Sequence, residues 1–509
     1  MPGEMKQNSL SRSSASKYVA LCFIVVTAIV LRALYLDSPI RYDEAFSYLN
    51  FIRHPFYSII TDYSYPNNHV LYSLFSKMTV VVLGASRYTV RLTACFAGVG
   101  VIFCGYFLFS KLYDEATSFL IAFGLAVLPI MVDMSVNGRG YSMLVLFFLV
   151  SVLSMTCWIH SNSRKWLIYT IIFFAMGLYT IPIMIFYAPL LFAISFCYRS
   201  LEGYIGWLKQ VTFIIVSSAL LAMLFYLPLV CSSGISSLFA NSFVKPAPSL
   251  SSVFKGFIWL FDYLTITSSF VEKLILAIGI VGSLFGSYFG SKNRYILGSI
   301  ILTVIALEIT FGSKLQPRFL YMFTPFIFGV SCSGLMNIGR FSLRFSDMTI
   351  ALILVTISFA IILASWGRCF QSIRDPIDDI LPDANRFIGV LMNGRLGTKV
   401  VLTRDRLHVP LAFEQSLAGS SGNMICSDIS EVKTITGGND FDLLLVSDEI
   451  FARRCLVENR SNCQDIKEIE CIVNNCFSAN REQGLVRCSN VNRIDSPGFE
   501  AWVSSCHFG

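Results

Sequence analysis

The sequence predicts an α-helical, multi-pass membrane protein that ends in a small α/β domain. Three observations carry that prediction. The chain of 509 residues is 55% hydrophobic and contains 44 Phe, which a bilayer accommodates far more readily than a water-soluble core does. The apolar residues gather into runs of spanning or near-spanning length over residues 18–365. About half of the charged residues follow in 366–509, a polar stretch long enough to bury a core of its own. The net charge of +7 is spread over short loops with no basic block. It therefore reads as membrane topology and excludes nucleic acid as the expected partner.

Residues 1–17 place Lys6, Arg12 and Lys17 ahead of the first apolar run, and no small-residue cleavage site follows. A signal anchor with a cytoplasmic N-terminus is expected. Apolar segments then fall near 18–36, 92–110, 116–133, 141–159, 166–181, 183–198, 211–230, 271–290, 295–311, 319–337 and 347–365, which implies about 11 spans. The segment "HVLYSLFSKMTVVVLG" (69–84) is short and carries Lys77 near its middle, which is costly at the bilayer centre. It is expected as a juxtamembrane helix. With that segment not crossing, the loops "HSNSRK", "YRSLEGYIGWLK", "SKNR" and "GRFSLR" all fall inside. Each has Lys or Arg close to a span end. The tail then lies outside. Arg87 and Arg91 depart from the rule by falling on the outer side.

In the tail, "DANRFIGVLMNGR" reads as a helix, while "TKVVLT" and "FDLLLVS" read as strands set off by turn signals such as "GGND". Seven of the 15 cysteines lie there: Cys426, Cys455, Cys463, Cys471, Cys476, Cys488 and Cys506. No CxxC pair and few His accompany them, so disulfides in an oxidising compartment fit better than zinc. The odd count leaves one thiol free or paired with Cys369. The acidic run "RDPIDDILPD" (374–383) sits at the domain junction and reads as a solvated linker. The expected layout is a cytoplasmic N-terminus (1–17), a transmembrane domain (18–365) and an extracytoplasmic, Cys-containing α/β domain (366–509).

This topology sorts the polar exceptions onto one side. Asp43 and Glu44 of "SPIRYDEAFSYL" (38–49), "YPNNHVLY" (65–72), "NGRGYS" (137–142) and "GSKLQPRF" (312–319) all come to the outer face. Singly each has an ordinary reading: a solvated acidic turn, snorkelling arginines, a capping histidine. Jointly they describe a carboxylate faced by several cations. Arg binds phosphate through a planar fork of donors and Lys adds a point charge. A carboxylate held ionised beside such cations can take a proton from a hydroxyl.

The series "YDEAFSYL", "NNHVLYSLF", "RYTVRLTACFAGVGVIFCGYFLFSKLY" and "VNGRGYSMLVLFFLV" resembles, in order and spacing, the GT-C membrane glycosyltransferases. The family 39 transferases, which include protein O-mannosyltransferases and aminoarabinose transferases of lipid A, are the branch it points to. The resemblance covers roughly residues 18–200 and, more loosely, "QPRFLYMFTPF" (316–326). It implies a GT-C-like fold and transfer of a hexosyl or pentosyl unit from a polyprenyl-phosphate donor. The acceptor would be a hydroxyl of a lipid, glycan or protein outside a bacterial inner membrane. By position it makes Asp43 the catalytic base and Glu44 its catalytic neighbour, positioning the acceptor or a metal. Asn68, His69, Arg91, Arg139, Tyr141, Lys314 and Arg318 become the substrate-binding set. Two departures stand out. Asn68-His69-Val70-Leu71 replaces the His-Pro-Pro-Leu common in relatives, and Asn137 replaces an acidic or Gln residue ahead of the Arg. The second argues against a tightly held ion, so no cofactor is assigned, although a divalent cation beside Glu44 stays open. Two rival readings are a transporter or flippase of a lipid-linked substrate and an O-antigen ligase-type transferase. The first usually shows repeated halves and midplane charges; the second carries its arginines in a large late external loop.

Overall fold

The computed structural model describes residues 2–197, 204–235, 270–285, 290–311, 317–343, 345–357, 399–403, 408–417, 423–426, 440–448, 486–496 and 499–508, with the single positions 360, 436 and 473. The chain forms two compact units, one of Met1–Asp37 with Phe51–Arg374, the other of Ser38–Asn50 with Asp375–Gly509.

The first unit is helical. It begins with α1 (Pro2–Ala33), and α2 (Tyr42–Ser47) follows in the second unit. Next come α3 (Phe56–Thr61), α4 (Val70–Leu83), α5 (Arg87–Leu112), α6 (Glu115–Val127), α7 (Pro129–Ser135), α8 (Tyr141–Ser161) and α9 (Arg164–Thr180). After a 3-10 turn at Pro182–Tyr187 come α10 (Ala188–Cys197), α11 (Tyr204–Ser233), α12 (Phe270–Phe285) and α13 (Gly290–Phe311). A second 3-10 turn, Pro317–Phe323, leads into α14 (Thr324–Leu343). On α1, Leu21, Ile24, Val25, Ala28 and Leu31 are buried at helical spacing, while Phe23, Val26, Ile29 and Val30 on the other side are exposed and equally apolar. A helix apolar all round with only one face packed is one that meets lipid with the other.

Among the described residues, five helices are long and apolar enough to cross a membrane, or six if the bent pair α6 and α7 is one span. The expectation of about 11 spans counted apolar runs, and the helices divide those runs differently. The run 116–133 breaks at Leu128–Pro129 into two helices bent by 56°. Proline has no N–H, so carbonyls at the end of α6 lose their next-turn donors. Arg32, fully buried, supplies donors instead. Its Nη1 bonds the Ala126 carbonyl at 3.1 Å and its Nη2 reaches the Leu125 and Met131 carbonyls at 3.5 and 3.4 Å. The run 183–198 starts as the 3-10 turn after Pro182, and 347–365 extends beyond the described residues. The segment read as juxtamembrane is α4, with 14 residues and a length of about 21 Å, short of the roughly 30 Å hydrocarbon layer. Its Lys77 donates to the Arg53 carbonyl at 3.1 Å.

Helix direction separates two ends of this unit. At one end lie the start of α13 and the end of α14, together with the "HSNSRK" loop between α8 and α9. Here Arg340 joins Asp114 (2.6 Å) and Asp347 (2.8 Å), and Lys17 joins Glu115 (2.6 Å). Tyr113 donates to Asn293, which donates to Ser333. The other end gathers the starts of α4, α5, α8 and α14. Packing between the two is close: a Cβ on Gly334 of α14 would lie 1.8 Å from the Gly279 carbonyl of α12.

The second unit contains a five-stranded sheet of order β2-β1-β3-β5-β4, built from β1 (Lys399–Thr403), β2 (Asn423–Cys426), β3 (Phe441–Asp448), β4 (Val486–Ser496) and β5 (Phe499–Phe508). β1 pairs parallel with β2 and β3, and β5 runs antiparallel to β3 and β4. The helix α15 (His408–Leu417) makes the β1-to-β2 crossover, as a parallel pair requires. The two strands expected from sequence are β1 and β3, both buried. The expected helix "DANRFIGVLMNGR", the linker "RDPIDDILPD" and Cys369, Cys455, Cys463, Cys471 and Cys476 lie outside the described residues. Cys488 and Cys506, opposite each other on β4 and β5, form a disulfide.

Candidate functional site

The expected site residues fall into three groups. His69, Arg139, Tyr141 and Arg318 come together in the first unit. His69 ends the turn before α4 and is 5% exposed; Arg139 precedes α8 and is 2% exposed. The Gly140 backbone N–H donates to His69 Nδ1 at 3.0 Å, and Arg139 Nη2 lies 3.2 Å from Nε2. Nη1 of Arg139 donates to the Asn67 carbonyl at 3.1 Å. The Tyr141 ring meets the His69 ring edge-on, centroids 5.2 Å apart. Arg318 lies over that same tyrosine ring at 5.8 Å, a cation–π distance. Tyr141 therefore stands between the histidine and the second arginine.

Local sequence explains this closeness. Gly140 is the one residue type that fits, because a Cβ there would lie 2.8 Å from the Thr180 methyl and 3.0 Å from His69 Nδ1. Burial, then the guanidinium charges of Arg139 and Arg318, push the His69 pKa well below 6.5, so the ring is neutral. Burial pushes the nearby Tyr63 hydroxyl up to about 12, with the Arg139 charge acting in the opposite direction.

Asn68 and Arg91 hold backbone. The Asn68 amide donates to the Ile59 and Asp62 carbonyls at 2.9 and 2.8 Å, and its oxygen accepts from Ser73 at 3.0 Å. It fastens the turn that presents His69. Arg91, 1% exposed in the second turn of α5, donates to the Leu36 carbonyl at 2.9 Å. Tyr88 hydrogen-bonds Asp37 beside it. These contacts fix the chain just ahead of the acidic segment. Lys314 lies outside the described residues.

Asp43 and Glu44 belong to α2 in the second unit. Glu44 is fully buried, and its carboxylate accepts the Arg41 backbone N–H at 2.9 Å, half of a capping box. Asp43, one position earlier, is half-buried. Their environments differ: one carboxylate is fully buried and closes a helix end, and the other is half-buried. Among the described residues no three His, Cys, Asp or Glu side chains cluster as a metal site would.

Sequence reasoning missed Tyr63, Gly140 and Arg32. The glycine is visible in "NGRGY", but its contact with His69 is not. Arg32 is a charge inside an apolar run, which marks a functional candidate by default; here it serves the broken helix.

Residues 67–227 match the family model of dolichyl-phosphate-mannose-protein mannosyltransferases, a range that includes His69, Arg139 and Tyr141. The fold is that of ArnT from Cupriavidus metallidurans. The apo structure of that protein aligns with a TM-score of 0.61 at 10% identity, over 97% of this chain and 98% of that one. Its structure bound to undecaprenyl phosphate aligns with a TM-score of 0.59 at 9% identity, over 95% and 97%. No curated protein matches the chain. These findings bear out the resemblance read from sequence: the chain is similar to the GT-C membrane glycosyltransferases of the family 39 type.

Proposed function

We propose that the protein transfers a glycosyl unit, hexosyl or pentosyl, from a polyprenyl-phosphate donor to an acceptor hydroxyl at the outer face of a bacterial inner membrane. The observation that carries this reading is the convergence of Arg139, Arg318 and neutral His69 around Tyr141. Two guanidinium groups and a ring N–H suit a phosphate leaving group. The relative with the same fold binds undecaprenyl phosphate, which supports a lipid of that class as donor.

Asp43 is the base in this reading. Its carboxylate takes the acceptor hydroxyl proton as the oxygen bonds to the anomeric carbon. The bond from that carbon to phosphate oxygen breaks, and the polyprenyl phosphate leaves with the electron pair. A single displacement inverts the anomeric centre through an oxocarbenium-like transition state. Charge on the departing phosphate is met by Arg139 and Arg318, which matter as much to the rate as the base. Glu44, one of whose oxygens caps α2, stands beside Asp43 and helps to position the acceptor.

The test is sugar transfer from labelled lipid donor by purified protein in detergent, where there is no membrane to cross. Transfer in the wild type, and its loss in Asp43→Asn with donor binding retained, are the expected results. Full transfer by Asp43→Asn would remove Asp43 as base. Absence of transfer by the wild type with any polyprenyl-phosphate sugar, alongside its flux across vesicles, would favour the transporter.

A further inference from the structure

Tyr63 lies in the segment between α3 and α4 that presents His69. The Asn68 amide donates to the carbonyl of its neighbour Asp62 at 2.8 Å, which pins the two ends of that turn together. The Tyr63 ring is packed with Ile59, Val70, Tyr179, Tyr226 and Leu229. Two of these are chain neighbours of the site. Val70 follows His69, and Tyr179 precedes Thr180, whose methyl stands against Gly140. Tyr63 is 8% exposed, and a tyrosine buried to that extent ordinarily finds a partner for its O–H. Tyr226, in the same cluster, follows the rule and donates to the Leu178 and Tyr179 carbonyls at 3.2 and 3.3 Å. Among the described residues no group hydrogen-bonds the Tyr63 hydroxyl. Its charged neighbour selects the partner. The Arg139 guanidinium acts on the Tyr63 hydroxyl through space, and a positive charge favours an anion beside it whatever else the guanidinium bonds. A phenol O–H can donate to such an anion. Burial holds this one up to about 12, so it keeps its proton across the physiological range.

We infer that Tyr63 is a substrate-binding residue whose hydroxyl donates a hydrogen bond to an oxygen of the phosphate held beside Arg139. This deepens the proposed function and rests on it for the identity of that phosphate as the lipid donor's. Free phosphate has the same chemistry, and the test separates the two sources. A neutral donor suits the place. It adds direction to the charge of Arg139 and Arg318 without a third cation, so the polyprenyl phosphate is gripped and still released after transfer. The cost of burying a hydroxyl with no protein partner is then offset when the ligand binds. Asn68 gains a second duty, since its bond to the Asp62 carbonyl sets the position of Tyr63 as well as that of His69.

The experiment compares wild type, Tyr63→Phe and Tyr226→Phe, each as the full chain in lipid nanodiscs, by ligand binding and thermal unfolding. The probes are undecaprenyl phosphate, undecaprenol, which lacks the phosphate, and inorganic phosphate. Tyr63→Phe should weaken undecaprenyl phosphate by about tenfold, the scale of a hydrogen bond to a charged group, and leave undecaprenol unchanged. Its unfolding midpoint should stay level or rise, because the hydroxyl removed has no partner in the protein. Tyr226→Phe should do the reverse, with a lower midpoint and lipid affinity within about twofold. Equal affinity of Tyr63→Phe and wild type for undecaprenyl phosphate overturns the inference. So does an equal loss for undecaprenol, which would trace the effect to the prenyl chain, and so does a midpoint that falls as in Tyr226→Phe. A loss seen with inorganic phosphate alone assigns the contact to free phosphate and overturns the donor assignment. If wild type itself fails to bind undecaprenyl phosphate, the proposed function falls as well. If wild type binds and transfers while Tyr63→Phe binds equally, this inference alone falls.

Discussion

The ring of Tyr48 packs edge-on against Phe413, with 5.0 Å between centroids. Tyr48 directly follows α2, the helix that carries Asp43, and Phe413 is fully buried on α15, which packs against α2. The C-terminal unit thus holds the acidic segment through an aromatic contact. If Asp43 is the base, the tail takes part in catalysis by fixing where the carboxylate stands. Phe413→Leu should lower the turnover number by about tenfold or more, since small misplacements of a reacting group are costly. Its binding of polyprenyl phosphate should remain near wild type. Equal losses in turnover and lipid binding would contradict the idea.

The adjacent carboxylates should separate by readout. Asp43→Asn should cost transfer by about a hundredfold or more and leave unfolding unchanged. Glu44→Ala removes the acceptor for the Arg41 N–H and should destabilise the second unit by about 1 kcal/mol. Chemical unfolding followed through buried Trp502, alongside the transfer assay, measures both. A stable Glu44→Ala with no activity would instead place Glu44 in the chemistry.

How much of this was legible in the sequence depends on whether the cause is local. His69, Arg139, Tyr141 and Arg318 were legible because polar residues next to long apolar runs are conspicuous. β1 and β3 were legible as short continuous apolar runs. β4 and β5 were not, because Val486–Ser496 is mostly polar and its alternation is interrupted by a register shift between Ser489 and Asn492. The roles of Asn68 and Arg91 were not legible either. Both are set by carbonyls, at Ile59, Asp62 and Leu36, that only the folded chain brings within reach. The grouping of Ser38–Asn50 with the tail has the same character, as it depends on a contact between Tyr48 and a residue far along the chain.

Arg32 should be irreplaceable by lysine. Its guanidinium reaches four carbonyls, at Ala28, Leu125, Ala126 and Met131, and an ammonium group cannot span that set. Arg32→Lys should leave carbonyls of the α6–α7 break unsatisfied, at about 1–3 kcal/mol for each group left without a donor. Thermal unfolding in nanodiscs should show a fall of several degrees or more. An unchanged midpoint would mean that water or lipid head groups serve those carbonyls equally well.

The Asp114–Arg340 pair makes a pH-dependent tie at the end of the helical unit remote from His69. Burial tends to raise the Asp114 pKa, but hydrogen bonds from Arg340 and Thr117 outweigh it and hold the carboxyl below its ordinary 3.8. The sign follows. A carboxyl with a lower pKa in the folded state contributes stability above its unfolded value and loses it as pH falls through the folded one. Both side chains are part-exposed, 25% and 29%, so the contribution is about 1 kcal/mol or less. Unfolding of wild type and Asp114→Asn should therefore differ by a constant amount above about pH 5. The difference should shrink below the ordinary 3.8 and vanish once the wild-type carboxyl is protonated. Arg340→Gln should reduce the same difference and leave only the part that the Thr117 hydrogen bonds supply. A gap that instead grew on acidification would require Asp114 to gain, not lose, its partner when protonated.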